Sequence, residues 1–356
     1  MVPALLKKLC AVPTAPFCEQ RMIGAVEHFC RNRGLSVTHD PYDNLLVSSG
    51  SENRRPRWVF VAHMDHPGMQ ALSASRDGEV TAAFRGHVLA KKMRRARVLF
   101  FDQDRRIRGR IIEITEDERG AATQVVVKVN GDVPDSAYGM FDLPVAVSIG
   151  EKIISRALDD IAGVAAVLKA MVNIAKIPGS PAAVLLTRGE ESGFIGAIAA
   201  ARDAKLVRKS DVIVSVECSA MQPYAPQGKG VVIRVGDKTS VFDSAATWQL
   251  TQTAEALAKH KKRFAFQRAL MPGGTCEASA FGAYGYRAAA VCLPLGNYHN
   301  MAAKGIAAEY IHIDDWHSLV DLLTAIGTQQ PATELGDLRA KLDTRFVQHE
   351  KLLRGD

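Results

Sequence analysis

Residues 58–65, WVFVAHMD, carry five apolar residues straight into a histidine, a methionine and an acid. An unbroken apolar run of that length, rich in branched side chains, fits a strand buried on both faces of a sheet. Three further runs share its texture: AAVLLT at 182–187, DVIVSV at 211–216 and RAAAVCL at 287–293. Helical patterns lie between them. From Asp160 onward, Val164, Leu168 and Met171 recur at helical spacing, with Val167 and Ile174 filling the same face. Residues 244–259 read as a second helix, with Trp248, Ala254 and Leu257 towards the core. Buried strands alternating with helices predict an α/β fold, a three-layer α/β/α domain with a mostly parallel central sheet.

Residues 74–147 have a different texture. GRIIEIT (109–115) and TQVVVKVN (123–130) are strand-like, Asp77–Gly78 and Asn130–Gly131 mark turns, and no long helical period runs through the stretch. This predicts a small all-β domain inserted into the α/β domain, which then comprises residues 1–73 and 148–330. In the tail, 331–356, Leu335, Leu338, Leu342 and Phe346 fall on one helical face. The expectation is a helix that packs on its own domain or meets another subunit.

A chain of 356 residues is long enough for two domains, and 47% hydrophobic with 23% charged residues is an ordinary globular balance. The six cysteines include no CxxC pair, which favours reduced thiols and a cytoplasmic setting over a disulfide framework. The opening MVPALLKKLCAVPTAPF lacks the long apolar core of a signal peptide, and no apolar run is long enough for a spanning helix. The net charge of +7 is partly local: Lys91, Lys92, Arg94, Arg95 and Arg97 are followed by Arg105, Arg106, Arg108 and Arg110. Aromatic residues do not interleave with them apart from Phe100 and Phe101, so a solvated face or subunit contact is favoured over nucleic acid.

The chemistry-bearing residues fall where the predicted strands end. In sheets of this kind, sites form beyond the carboxyl ends of the strands. His63 and Asp65 make an HxD pair, in which an acid can accept from the second nitrogen of a ligating imidazole. Asp159, in SRALDD, could bridge two cations, one oxygen to each, or simply cap the helix that follows. Glu190 and Glu191, in LLTRGEESG, could divide between ligation and proton transfer, or belong to an exposed loop. Glu217 follows the buried-looking VIVSV, where an unpaired carboxylate is costly unless the strand end is exposed. His299, in GNYHN, could equally be a ligand, a core residue or a loop residue. Two imidazoles and several carboxylates with no cysteine pattern suit hard divalent cations and two-metal hydrolysis.

The order of these runs resembles the dinuclear metallo-aminopeptidases, the family of the glutamyl aminopeptidases and the tetrahedral, dodecameric aminopeptidases. LCAVPTAPFCEQ and DPYDNLLV match the approach to the first metal strand. VAHMDHPG is similar to its first-histidine motif, ALDDIAG to its bridging-aspartate motif and TRGEESGFIGA to its double-glutamate motif; MPGGTCEASAFG and YHN follow in the family's order. The resemblance runs from near the start of the chain to about residue 325. It departs at Ile161, where the family often has arginine, and at Cys276, where aspartate usually follows GGT. The last motif reads Tyr298–His299–Asn300 without the usual spacer, and Glu217 stands where aspartate is commoner.

The resemblance implies two divalent metal ions, with zinc expected and cobalt or manganese as the other choices. Asp159 would bridge them, His63 and Glu217 would complete one site, and Glu191 and His299 the other. Glu190 would be the general base and Asp65 would orient His63. The implied reaction is hydrolysis of the N-terminal residue of a short peptide by a water shared between the metals. It further implies a homo-oligomer, anywhere from dimer to dodecamer, assembled through the inserted domain. A deacylase or amidohydrolase on an N-acyl or unusual amino-acid substrate would use the same site. A metal-binding interaction protein without turnover is the third reading.

Overall fold

The computed structural model describes residues 1–49 and 56–355. The strand Trp58–His63 is buried along its whole length, and its alternating side chains serve two different cores. Trp58, Phe60 and Ala62 join the larger core with the helices Ala4–Cys10, Ile161–Ile174 and Ile313–Gly327. Val59 and Val61 face the other way, onto Ile195–Asp203 and Glu277–Ala283. The period of two in a strand thus produces the three α/β/α layers.

That strand lies inside an eight-stranded sheet. It pairs in parallel with Ala182–Thr187 on one side and Val212–Ala220 on the other. Val212–Ala220 pairs in parallel with Arg287–Leu295. These four are the runs picked out in the sequence, and their carboxyl ends share one rim. Antiparallel pairings occur towards the edges, where Leu45–Ser48 joins Ala182–Thr187 and Val231–Gly236 joins Arg287–Leu295.

The helix Ile161–Ile174 is capped by Asp160, whose carboxylate accepts the Gly163 N–H at 3.2 Å. Capping therefore falls to the second aspartate of the pair, which frees Asp159. Any Cβ at Gly163 would lie within 2.2–2.5 Å of the Asp160 carboxylate, so this cap requires glycine there.

Just beyond His63 the chain leaves the sheet and forms a closed, antiparallel six-stranded barrel from Gly68–Ala71 to Tyr138–Phe141. The two strand-like stretches of the sequence lie in Arg105–Glu116 and Ala122–Val129, which pair with each other. The barrel has its own core, including Met69, Phe84, Phe100, Val127 and Phe141. Leu99 and Phe101, on the outer side of one strand, pack into the core of the α/β layers.

The tail forms the helix Gly336–Arg354, but Leu342 and Phe346 remain more than half exposed. Trp248 is only half-buried in Ser244–His260. All six cysteines are buried and unpaired. Among the described residues no helix is long and apolar enough to cross a membrane.

Candidate active site

Five segments deliver polar side chains to the rim. His63 ends its strand, and Thr187, its partner in register, ends the next. The turn after Thr187 carries Glu190 and Glu191 in a short 3-10 helix, entered through Gly189 at φ 59°. Glu217 lies near the end of Val212–Ala220 opposite Cys292. Asp159 precedes the capped helix. His299 sits in a turn where Asn297, His299 and Asn300 all have positive φ (54°, 53° and 60°). Such left-handed conformations are strained for residues with a Cβ and persist only where surrounding contacts hold them.

Asp159 stands at the centre. Its Oδ1 lies 3.5 Å from His63 Nε2 and its Oδ2 lies 3.5 Å from His299 Nε2. Each carboxylate oxygen therefore serves a different imidazole. Glu191 Oε1 is 3.1 Å from His299 Nε2, and Glu190 Oε2 is 3.9 Å from His63 Nε2. Potential ligand atoms of His63, Glu190 and Glu217 lie within 4.8 Å of one another, as do those of Asp159, Glu191 and His299. A third grouping, Asp159, Asp160 and Cys218, shares the first aspartate. Asp159 Oδ1 and Glu191 Oε1 are buried without a well-directed hydrogen bond.

The far side of each imidazole is anchored. His299 Nδ1 faces the His87 carbonyl, supplied by the barrel, at 3.0 Å. His63 Nδ1 faces the Asp65 carbonyl at 3.2 Å, with the Asp65 carboxylate a little farther at 3.5 Å. If both Nδ1 atoms carry the proton, both Nε2 lone pairs point into the cluster. The Asp65 carboxylate has another role that the sequence did not indicate. Its two oxygens accept the backbone N–H groups of Glu190 and Glu191, each at 3.0 Å.

Burial and charge are in tension here. Burial alone would raise the Asp159 carboxyl, yet the hydrogen bonds and positive charge of His299 and His63 hold it well below the usual range. Burial would lower both imidazoles, but Glu190 raises His63 and Glu191 raises His299 well above ordinary values. Burial pushes Glu190 well up, Glu191 and Glu217 add to this, and His63 opposes it. Glu277, missed in the sequence, is fully buried with neither oxygen partnered, and burial followed by Glu217 pushes it up to about 8. Crowded carboxylates with only two imidazoles leave negative charge uncompensated, and oxygen and imidazole donors suit divalent cations. The residues present fit a pair of such ions.

A second group, also missed, supports Asp159 from behind. Glu309, fully buried, accepts the N–H groups of Leu158 and Asp159 at 2.7 and 3.1 Å. His66 Nδ1 lies 2.6 Å from the Asp159 carbonyl and its Nε2 3.1 Å from Asn300 Oδ1, while Asn300 donates to the Arg156 carbonyl at 2.9 Å. Glu19 accepts the Gly189 N–H at 2.9 Å and pairs with Arg188 at 2.8 Å, fixing the entry to the double-glutamate turn. These partners lie far apart in sequence, so no local pattern marks their roles, although Glu19, His66 and Asn300 fall within the runs LCAVPTAPFCEQ, VAHMDHPG and YHN.

A cavity of about 80 Å³ opens onto the cluster, lined by His63, Asp159, Glu190, Glu217, Arg234 and Cys276 among others. Cys276 is buried, with its N–H donated to Asp237 at 3.0 Å. Ile161, the other departure near the site, is a core residue.

The family described as M42 glutamyl aminopeptidase matches residues 43–322. The TET1 peptidase of Pyrococcus horikoshii, which can assemble into a tetrahedron or a large octahedral shell, is similar in structure. It is 21% identical over 91% of this chain and 98% of its own, with a TM-score of 0.75. The aminopeptidase APDkam598 of the archaeon Desulfurococcus kamchatkensis is 21% identical over 91% and 93%, with a TM-score of 0.74. A TET aminopeptidase from the marine sediment archaeon Thaumarchaeota archaeon SCGC AB-539-E09 is 16% identical over 94% and 97%, with a TM-score of 0.76. At these identities the structural likeness speaks to the fold alone. No curated protein sequence matches the chain.

Proposed function

This chain belongs to the M42 glutamyl aminopeptidase family, and from that membership and the geometry of the rim we propose a two-metal aminopeptidase acting on short peptides. Membership makes it a peptide-bond hydrolase, and a metal-dependent one. In the proposed site Asp159 would be shared by both ions, His63 and Glu217 would hold one of them, and Glu191 and His299 the other. The observation that carries this is Asp159, whose two oxygens each face a different imidazole at 3.5 Å. Zinc is the proposed metal, with cobalt and manganese suited to the same mixed donor set.

Bound divalent ions would supply Lewis acidity and a lowered pKa for water at this position. The chain's own residues do the rest. Glu190, outside the proposed ligand set, takes the proton of the attacking water and returns it to the departing amine nitrogen. In the metal-free chain, burial and its carboxylate neighbours raise its proton affinity. Asp65 keeps Glu190 and Glu191 in register through their backbone N–H groups.

The proposed protein is a homo-oligomer, as the assembly of the Pyrococcus horikoshii peptidase supports, and the barrel is the proposed subunit contact. A cytoplasmic setting agrees with six buried, unpaired cysteines.

The test is metal stoichiometry joined to a substrate panel. Two ions bound per chain, with cleavage of free-amine dipeptides restored by metal, supports the proposal. Two ions with cleavage of N-acetylated substrates only would make the protein a deacylase. No bound metal would overturn the ligand assignment.

A further inference from the structure

Three segments remote in sequence carry the two imidazoles and the aspartate between them: 63–66, 156–159 and 297–300. A run of buried hydrogen bonds joins all three, and it passes through two side chains outside the proposed ligand set. His66 Nδ1 donates to the Asp159 carbonyl at 2.6 Å, and its Nε2 lies 3.1 Å from Asn300 Oδ1. Asn300 Nδ2 donates to the Arg156 carbonyl at 2.9 Å, which returns the run to the segment of Asp159. His66 and Asn300 are each 1% exposed, so water does not replace a partner lost there.

The three segments differ in how they are held apart from this run. His63 ends a buried strand that stays in register with Ala182–Thr187 up to His63 itself. The Leu158 and Asp159 N–H groups are fixed by Glu309. The turn 297–300 is the strained one, with Asn297, His299 and Asn300 all at positive φ. Such a turn keeps its shape only through its contacts. Asn297 donates to the Ala308 carbonyl at 2.8 Å, and His299 Nδ1 meets the His87 carbonyl at 3.0 Å. Neither contact refers the turn to Asp159; the Asn300 side chain does.

We propose that His66 and Asn300 are a pair of positioning residues that set His299 against Asp159, so that metal binding at the His299–Glu191 position depends on them and binding at the His63–Glu217 position does not. The inference rests on the two-metal reading and adds to it the residues that fix one of the two positions. A ligand atom must be held to within about 0.2 Å of its working distance. A strained turn released from Asp159 relaxes by more than that, and His299 moves with it. His63 and Asp159 keep their own supports.

The experiment measures zinc binding to metal-stripped protein by competition with a chelator, for the wild type, His66→Leu, His66→Gln and Asn300→Gly, with circular dichroism as a check of folding. Leucine keeps bulk and removes both bonds of His66, while glutamine keeps an amide donor that can reach Asn300. Glycine adopts the left-handed backbone without strain, so a loss in Asn300→Gly comes from the missing amide. In His66→Leu and Asn300→Gly one ion should bind as in the wild type and the other about 10- to 100-fold more weakly. His66→Gln should return part of that loss. The double variant should lose no more than the weaker of the singles, because both act through one contact. Equal weakening of both ions overturns the inference, as do two unchanged affinities. On a His299→Ala background, which leaves the His63–Glu217 position, adding His66→Leu should not weaken the remaining ion; a further fall overturns the assignment. Metal-free protein gives a second reading, since the Ala307 N–H donates to the Asn300 carbonyl at 2.9 Å. Amide exchange there should quicken in His66→Leu, and unchanged exchange would overturn the pair's hold on the turn. Selective loss of one ion in a protein that cleaves no peptide would fault the aminopeptidase reading and leave the role of the pair standing.

Discussion

Asp65 Oδ1 accepts the backbone N–H of Glu190 at 3.0 Å, joining a residue two positions after the strand Trp58–His63 to the turn after its neighbour Ala182–Thr187. The other oxygen holds Glu191 in the same way. Asp65 thereby fixes both glutamates of the pair as well as standing beside His63. Asp65→Asn keeps the size but turns one acceptor into an amide donor facing a backbone N–H. We expect kcat to fall about 10- to 100-fold, within the range for outer partners of metal ligands. Steady-state kinetics at saturating metal would check it, and an unchanged kcat would remove Asp65 from this role.

Glu309 holds the other side of the site. Glu309→Ala leaves the N–H groups of Leu158 and Asp159 buried without their acceptor. At about 1–3 kcal/mol for each of the two unsatisfied groups, a loss of roughly 2–6 kcal/mol in unfolding free energy is expected. Metal affinity should weaken as well, since Asp159 loses its support. Denaturant titration and competition with a chelator measure the two effects.

Metal-free protein should lose stability as pH rises. Burial pushes Glu277 and Glu309 up to about 8 and about 7, from the 4.5 usual for a glutamate. Between those limits the folded chain binds more protons than the unfolded one. The stability these two groups give is whole below about pH 4.5 and fades as pH climbs through 7 to 8. His63 and His299, also raised, act in the same direction. Asp159, lowered, has lost its proton below this window. Thermal melts of chelator-treated protein from pH 5 to 9 should show a falling Tm, with less decline when metal is bound. A rising metal-free Tm would contradict this.

A homo-oligomer is expected at micromolar concentration, and light scattering measures it directly. A monomer would sink the proposed barrel contact.

Much of this arrangement can be read along the chain because strand ends and ligands coincide. WVFVAH and AAVLLT announce buried strands, and the residues that follow them, His63 and the Glu190–Glu191 pair, are the ones placed on the rim. Asp159 and Asp160 could not be separated this way, since either residue of LDD can cap a helix; the structure gives that bond to Asp160. Glu309 and His66 were out of reach for another reason. Each matters through a partner remote in sequence, as Glu309 does through Leu158 and His66 through Asp159, and neither carries a local mark of what it faces. The tail shows the opposite limit. Its helical period is plain, but periodicity alone does not supply something for Leu342 and Phe346 to pack against.

The most direct test of the proposed chemistry compares kcat for the wild type and Glu190→Gln, both stripped and reloaded with zinc, on a free-amine dipeptide. If Glu190 moves the proton and ligates neither ion, the variant should bind two zinc ions as tightly as the wild type. Its kcat should fall by about 10²–10⁴-fold. A variant that keeps the wild-type rate, or that loses a zinc ion along with activity, would contradict the role given to Glu190.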